Sequence, residues 1–172
     1  AYVAEHSELP LIVYNVPGRT GVSCTPEHYA RLAEIPRING VKEASGDISL
    51  VSRTRHLCGD ALNIWSGNDD QTLPMLALGA KGVISVASNI VPQVMATLCA
   101  AALSGDFFTA RAIHEAYAGL FDALFYEVNP IPVKTAMQML GWDSGRLRLP
   151  LCPMAEGNAA KLQNCLESLQ LL

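Results

Sequence analysis

The first hundred residues repeat one unit four times: a short apolar run, a turn of small residues and an amphipathic stretch of helical length. This alternation predicts an α/β fold with a parallel sheet and right-handed crossovers. The predicted strands are residues 11–14, 38–42, 62–66 and 82–86. The predicted helices are residues 26–35 with Thr25 as N-cap, 48–58 with Asp47, 70–78 with Asp69, and 92–103. Four parallel strands do not close a barrel and leave apolar faces and an open edge, so we expect part of a larger structure.

The pattern changes after Gly105, where helices follow one another without strands. Residues 107–126 are predicted as one helix whose apolar positions recur every four residues: Phe108, Ala112, Ala116, Leu120 and Leu124. A Pro-rich break precedes a predicted helix at 132–140, and a final helix is predicted at 155–169. Residues 1–6 resemble the end of a helix. We therefore divide the chain into a part with alternating strands and helices, residues 1–104, and an all-helical part, residues 105–172.

Composition excludes several classes of function. The net charge of −4, without a basic cluster, disfavours nucleic-acid binding. No apolar run approaches the ~20 residues that cross a membrane, and no secretory signal is recognisable. Five scattered cysteines are typical of reduced thiols, so we expect a cytoplasmic protein. The four histidines are isolated from one another and no phosphate-binding glycine loop occurs, so no metal or nucleotide site is predicted.

Two polar side chains lie at the ends of successive predicted strands, Tyr14 and Lys42. α/β enzymes place their chemistry at such carboxyl ends. A desolvated lysine favours the neutral amine, which can condense with a ketone to form a Schiff base. From position alone, a strand-end lysine more often extends its ammonium to solvent, and a strand-end tyrosine is usually a core residue with a hydrogen-bonded hydroxyl. The occurrence of both at the ends of successive strands, each before a Gly-containing loop, favours the functional interpretation.

Five motifs extend the interpretation along the whole chain. They are Tyr-Asn-Val-Pro-Gly-Arg-Thr-Gly from Tyr14, Lys-Glu-Ala-Ser-Gly from Lys42, Ser-Gly-Asn-Asp from Ser66, Gly-Val-Ile-Ser-Val from Gly82 and Asn-Pro-Ile-Pro-Val-Lys from Asn129. Together they resemble the dihydrodipicolinate synthase family of the N-acetylneuraminate lyase superfamily. The resemblance implies a (β/α)₈ TIM barrel with a helical extension. Residues 1–104 would form half of this barrel, with strands five to eight, and residues 105–172 would form the extension.

The resemblance also implies an activity: condensation of pyruvate with L-aspartate 4-semialdehyde to 4-hydroxy-tetrahydrodipicolinate, in lysine and diaminopimelate biosynthesis. It implies that Lys42 forms the imine and that Tyr14 relays protons. It assigns substrate contacts to Arg19, Thr20, Gly67 and Ile84: the guanidinium would hold the semialdehyde carboxylate, Gly67 would leave room for substrate, and Ile84 would offer a backbone carbonyl. It implies no cofactor beyond the covalent imine, and a homotetramer.

Two alternatives stay open. Sister aldolases that cleave N-acetylneuraminate or keto-deoxy sugar acids share the Tyr and the Lys, but by the same resemblance they generally lack an Arg after the Tyr-Asn-x-Pro segment. Arg19 therefore favours the synthase. A non-catalytic half-barrel is the second alternative, because the Thr-Thr pair that holds the pyruvate carboxylate in the family has no counterpart in these residues.

Overall fold

The computed structural model describes all 172 residues, which divide into two compact units, Ala1–Ile84 and Ser85–Leu172. The first unit contains a three-stranded parallel sheet in the order β1-β2-β3. Its elements are α1 (Tyr2–Glu5), β1 (Leu11–Asn15), α2 (Pro17–Thr20), α3 (Pro26–Ala33), β2 (Ile38–Glu43), α4 (Ile48–Cys58), β3 (Asn63–Ser66) and α5 (Thr72–Ala77). The predicted α/β class and three of the four predicted strands are confirmed, to within one residue at each end.

The second unit is helical. It consists of α6 (Pro92–Leu103), α7 (Phe107–Ala123), α8 (Ile131–Met139) and α9 (Glu156–Ser168). α8 and α9 match the predicted helices to within one residue at each end, and α6 matches at both ends. The compact units divide at Ile84, whereas the predicted division between barrel and extension follows residue 104. The division into barrel and extension after residue 104 stays a prediction.

Side-chain caps fix where two helices of the first unit begin. The Thr25 hydroxyl accepts the His28 N–H at 3.4 Å, and His28 Nδ1 in turn accepts the Thr25 N–H at 3.1 Å. Asp47 Oδ1 accepts the Leu50 N–H at 3.0 Å at the start of α4. Each cap satisfies backbone donors that the first helical turn leaves free. Both predicted caps are confirmed.

The sheet packs one face against its helices. Tyr29 of α3, Leu50 and Val51 of α4 and Met75 of α5 are all buried against it. Because successive side chains of a strand point to opposite faces, Val13 and Val41 enter this core while Tyr14 and Lys42 project from the other face. The helix-covered face thus leaves the opposite face available for the candidate site.

The prediction of a fourth strand at residues 82–86 is wrong. Only Val83 pairs with the sheet, through a single parallel bridge to Ser66. Gly82 has a φ of +152°, outside the strand region, and Val86 already has helical angles. The segment is nevertheless held beside β3, since the Ser66 N–H donates to the Gly82 carbonyl at 2.9 Å and the Ile84 N–H donates to the Ser66 carbonyl at 2.8 Å.

The helix predicted at residues 70–78 begins later and has a different cap. A 3₁₀ turn occupies Asp69–Gln71, and α5 starts at Thr72 without a side-chain cap. Pro74 explains the difference, because a helix starting at Asp70 needs the N–H of residue 74 and proline has none. The prediction of Asp69 as N-cap is therefore wrong.

The apolar stripe predicted for residues 107–126 is also wrong in part. α7 ends at Ala123, and its buried residues are Ala110, Leu120, Phe121 and Ala123. Phe108 is 75% exposed, whereas Leu124 is buried. A four-residue spacing advances about 40° per step around a helix of 3.6 residues per turn, so it drifts to the other side of α7 within four steps.

An ion pair joins α8 to the loop that follows it. Lys134 Nζ lies 2.6 Å from Asp143 Oδ2, and both side chains are mostly buried. The hydrogen bond from Lys134 lowers the pKa of Asp143 below its usual range. A lowered pKa in the folded state stabilises the protein above the ordinary aspartate pKa of about 4, and this stabilisation is lost as the pH falls through the lowered value.

Asp143→Asn should therefore lower the Tm of the intact protein at pH 7 by roughly 1–3 °C. The difference from wild type should shrink below about pH 4, where the wild-type carboxylate also takes up a proton. Thermal unfolding followed by circular dichroism at several pH values measures both effects. Asp122→Asn, at an exposed position of α7, is the matched control. A difference that stays constant across the pH range would contradict this role of the ion pair.

Candidate active site

The carboxyl ends of β1 and β2 bring together the two residues that the sequence singles out. Tyr14 and Lys42 are direct partners in the parallel register of the two strands. Lys42 Nζ lies 4.1 Å from the centroid of the Tyr14 ring. An ammonium over an aromatic face is attracted by the ring. The two residues thus lie side by side in the sheet, and their catalytic roles stay predictions.

The face that carries this pair is open in the chain. Tyr14 is 49% exposed and Lys42 is partly buried, so neither is a core residue. Each lies one residue before the end of its strand, rather than at the end as the sequence predicts. Trp65, the β3 partner of Lys42, lies on the same face, where its ring covers Gly40. The face therefore combines an amine, a phenol and an indole.

Gly67 follows β3 beside the lysine. A Cβ at this position would lie 3.2 Å from Lys42 Cε and only 2.7 Å from the Ala44 Cβ. The Gly67 N–H donates to the Glu43 carbonyl at 2.7 Å, which holds the backbone close to β2. A glycine is required here because a Cβ would collide with the Ala44 side chain and would also crowd the Lys42 stem. The absence of a side chain at this position thus lets the chain after β3 pack closely against β2 beside Lys42.

Arg19 and Thr20 lie in the one-turn helix α2, directly after the β1 strand. Arg19 is exposed, and its guanidinium makes no hydrogen bond or ion pair within the chain. Thr20 differs, because its hydroxyl donates to the Val16 or Val22 carbonyl and accepts the Val22 N–H. Gly21 ends the turn in the left-handed conformation, with a φ of +69°. The loop thus presents a free cation, whereas the Thr20 hydroxyl is used to shape it.

Ile84 lies at the end of the segment that pairs with β3. Its N–H is bonded to the Ser66 carbonyl and its side chain is 39% exposed.

No group of three or more His, Cys, Asp or Glu side chains in the chain is arranged to hold a metal ion. None of the helices combines the length and the apolar character that crossing a membrane requires.

The match to a family model covers nearly the whole chain: residues 1–169 match the model of the dihydrodipicolinate synthetase family. The chain belongs to this family. Its relatives include the 4-hydroxy-tetrahydrodipicolinate synthases of Geobacter sulfurreducens, 49% identical over 170 residues, and of Methanothrix thermoacetophila, 50% identical over 165 residues. These alignments cover 99% and 95% of this chain but 59% and 56% of the relatives. The chain thus spans little more than half of their length.

Solved structures of the family agree with the fold. The dihydrodipicolinate synthase of Thermotoga maritima superposes with a TM-score of 0.96 at 44% identity, covering 99% of this chain and 59% of that one. A chloride-inhibited synthase of Acinetobacter baumannii, complexed with pyruvate, gives a TM-score of 0.97 at 41% identity with the same coverage. A monomeric variant of the enzyme gives 0.95 at 43% identity, covering 99% of this chain and 58% of that one. The first unit of this chain is thus consistent with part of the family's TIM barrel.

Sequence analysis missed a charged group next to Lys42, on the other face of the sheet. Glu43 follows Lys42 in β2, faces the helices and is only 2% exposed. Its carboxylate is bonded to Asn15 and Tyr29, which are also buried. The signal was available, because strand alternation places the residue after Lys42 on the helix-covered face, where an acidic side chain is unusual.

The buried carboxylate affects its neighbours. Burial raises the pKa of the Tyr29 hydroxyl, and the hydrogen bond to Glu43 and the charge of Glu43 raise it further. Burial likewise raises the pKa of the Cys24 thiol; a hydrogen bond with Tyr29 opposes this shift and the charge of Glu43 adds to it. Tyr29 therefore keeps its proton and remains a hydrogen-bond donor, and Cys24 remains a neutral thiol.

Proposed function

We propose that this chain carries the imine-forming part of an active site that condenses pyruvate with L-aspartate 4-semialdehyde to 4-hydroxy-tetrahydrodipicolinate. The observation that carries the proposal is the pairing of Lys42 and Tyr14, 4.1 Å from amine nitrogen to ring centroid, on one open sheet face. Membership of the family, whose relatives are named for this reaction, supports it. The step belongs to lysine and diaminopimelate biosynthesis.

In the proposed mechanism the neutral Lys42 amine attacks the ketone carbon of pyruvate, and water leaves as the imine forms. The protonated imine acts as an electron sink, so the methyl group of pyruvate loses a proton and becomes an enamine carbon. That carbon attacks the aldehyde of the second substrate, which restores the protonated imine, and the new alkoxide takes up a proton. The amino group of the semialdehyde then adds to the imine carbon and expels Lys42 as the free amine, which closes the ring and releases the product. The Tyr14 hydroxyl relays these protons beside the lysine. The protein needs no cofactor in this scheme, because Lys42 itself carries the covalent intermediate.

The remaining roles follow from position and chemistry. Arg19 is a free guanidinium, whose planar fork suits the carboxylate of the semialdehyde. Gly67 leaves space next to Lys42, and Ile84 offers a backbone carbonyl toward the imine. The Thr20 hydroxyl holds the turn that presents Arg19. We propose that Thr20 contacts the substrate through its backbone. Within the barrel we assign β1, β2, β3 and the residue 82–86 segment to strands five to eight.

We further propose the assembly that completes the site. Residues 1–104 form half of the barrel and residues 105–172 its helical extension, and the rest of the barrel comes from sequence that the family relatives possess beyond the matched part. The functional protein is a cytoplasmic homotetramer in this proposal. Since a monomeric variant of the enzyme exists, sedimentation of the intact protein is the direct measurement of its oligomeric state.

Borohydride reduction tests the covalent step. In the intact protein with pyruvate, Lys42 should be the only one of the four lysines that acquires a reduced pyruvate adduct. Lys81 and Lys161 are exposed, and Lys134 is bonded to Asp143, so none of them combines a free amine with a neighbouring proton relay. Peptide mapping by mass spectrometry identifies the modified residue. An adduct on Lys81 or Lys134, with Lys42 unmodified, would overturn the assignment.

Arg19→Ala tests the choice of second substrate. Loss of a charge-assisted, two-point carboxylate contact costs roughly 1.5–3 kcal/mol, so kcat/KM for the semialdehyde should fall by tens- to hundreds-fold. Trapping of pyruvate on Lys42 should stay close to wild type, because that step does not involve Arg19. Arg31→Ala, at an exposed position of α3, is the control. An equal loss for both substrates would show that the arginine is structural.

A further inference from the structure

The side of the sheet opposite Lys42 contains a buried carboxylate without a cationic partner. Glu43 is 2% exposed, and no lysine, arginine or histidine lies within ion-pair distance of it. Instead it is stabilised by hydrogen bonds alone. The Asn15 amide donates to Oε1 and Oε2, each at 3.0 Å, the Tyr29 hydroxyl donates to Oε2, and the Ser45 N–H donates to Oε1 at 2.7 Å. Every bond is charge-assisted and each donor is itself held by the fold.

Asn15 connects this carboxylate to two further segments. Its side-chain Oδ1 accepts the Cys24 N–H at 3.2 Å, in the loop before α3. Its backbone carbonyl accepts the Ala44 N–H at 2.9 Å, just beyond β2. Asn15 is 3% exposed and Tyr29 is 1% exposed, so water does not compete for these bonds. The three buried side chains Asn15, Tyr29 and Glu43, which we call the clamp, tie β1, α3 and β2 together at one point.

The clamp is one peptide bond away from both residues of the candidate site. Asn15 follows Tyr14, and Glu43 follows Lys42, and the two pairs are adjacent steps in the same strand register. Strand alternation places the clamp on the helix-covered face and the site on the open face. A change in the spacing of Asn15 and Glu43 is therefore transmitted directly to the spacing of Tyr14 and Lys42.

The hydrogen-bond pattern specifies an ionised carboxylate. An amide nitrogen, a backbone N–H and a phenol that keeps its proton all point at its oxygens, so three donor groups make four hydrogen bonds to an acceptor with no proton of its own. Replacing the carboxylate with an amide turns one end of it into a donor. The Asn15 amide donates to both oxygens of Glu43. Whichever of the two oxygens the new NH₂ group replaces, it therefore faces the NH₂ group of Asn15, and two donors meet. A partly satisfied buried network of this kind costs more than the loss of one bond.

We infer that Glu43, Asn15 and Tyr29 are positioning residues that hold Tyr14 and Lys42 at the separation that proton transfer during imine formation requires. The inference rests on the proposed function of Lys42 and Tyr14. None of the three touches the open face, so the clamp acts through the backbone of β1 and β2. Misplacement of a reacting group by about 1 Å lowers rates by roughly 10²-fold, which sets the size of the expected effect.

Glu43→Gln in the intact protein is the primary test. It should lower kcat for condensation by about 10²-fold while KM for pyruvate changes less than about threefold, since the substrate contacts remain. The matched control is Glu34→Gln, the same exchange at an exposed position, which should retain wild-type kcat. Tyr29→Phe removes one donor and should lower kcat by roughly 10-fold. It also provides the test if Glu43→Gln fails to fold.

A double-mutant cycle separates positioning from general destabilisation. In a Tyr14→Phe background the clamp no longer has a hydroxyl to position, so Glu43→Gln or Tyr29→Phe should then cost less than about threefold in kcat. The inference would be overturned if the loss in kcat of the double variant equalled the product of the losses in the two single variants. It would also be overturned if Glu43→Gln and Tyr29→Phe both kept wild-type kcat. Absence of condensation by the wild-type protein would instead refute the proposed second substrate. The rate of borohydride trapping of pyruvate on Lys42 in the same variants would still decide the role of the clamp.

Discussion

Expressed alone, the 172 residues should show no measurable condensation of pyruvate with aspartate semialdehyde. The open sheet face leaves Ile12 47%, Tyr14 49% and Ile84 39% exposed, and apolar residues at such a face associate unless other strands cover them. The same missing strands would exclude water and orient the pyruvate carboxylate. Losing that orientation removes much of the rate advantage of a bound substrate.

Adding the first four barrel strands, in the same chain or as a separate polypeptide, should restore activity. Coupled spectrophotometric assay of product measures turnover, and size-exclusion chromatography with light scattering reports the association state. A Lys42→Ala chain is the control that should stay inactive after addition, whereas Lys81→Ala, at an exposed lysine, should be rescued. A monodisperse 172-residue chain with full activity would refute the half-barrel interpretation; failure of every complemented chain would favour a non-catalytic half-barrel.

Tyr14→Phe should lower kcat of the intact enzyme by about 10²-fold or more. The substitution keeps the ring that lies 4.1 Å from Lys42 Nζ and removes only the hydroxyl, so packing and the cation–π contact persist. What is lost is the proton relay between the lysine, the substrate and solvent. Because the relay serves imine formation as well as the later steps, trapping of pyruvate on Lys42 should also slow.

Steady-state kinetics and the time course of borohydride trapping measure the two effects. Tyr2→Phe is the matched control, since Tyr2 of α1 is 73% exposed and its ring stacks on His6, directly after that helix. A Tyr14→Phe enzyme with unchanged kcat would remove the tyrosine from the mechanism. A loss confined to KM for either substrate would make the hydroxyl a binding group rather than a relay.

Much of the fold could be predicted from local signals. Thr25 and Asp47 cap helices where the sequence places them, because a cap involves only neighbouring residues. The errors arose where local pattern and tertiary contacts disagree. Residues 82–86 have the composition of a strand, yet only Val83 pairs. The stripe from Phe108 to Leu124 follows a regular spacing, yet only its last part faces a core.

The candidate site divides in the same way. The sequence by itself determined that Tyr14 and Lys42 lie near the carboxyl ends of successive strands, since apolar runs, Gly-rich turns and the family motifs are all local in the chain. Only the tertiary structure decided that they meet, because the register of β1 against β2 is set by pairing between segments 28 residues apart. It also revealed the clamp. A buried Glu43 is stable only with donors from Asn15 and Tyr29, and the proximity of those donors is a property of the packed sheet and helix rather than of any stretch of sequence.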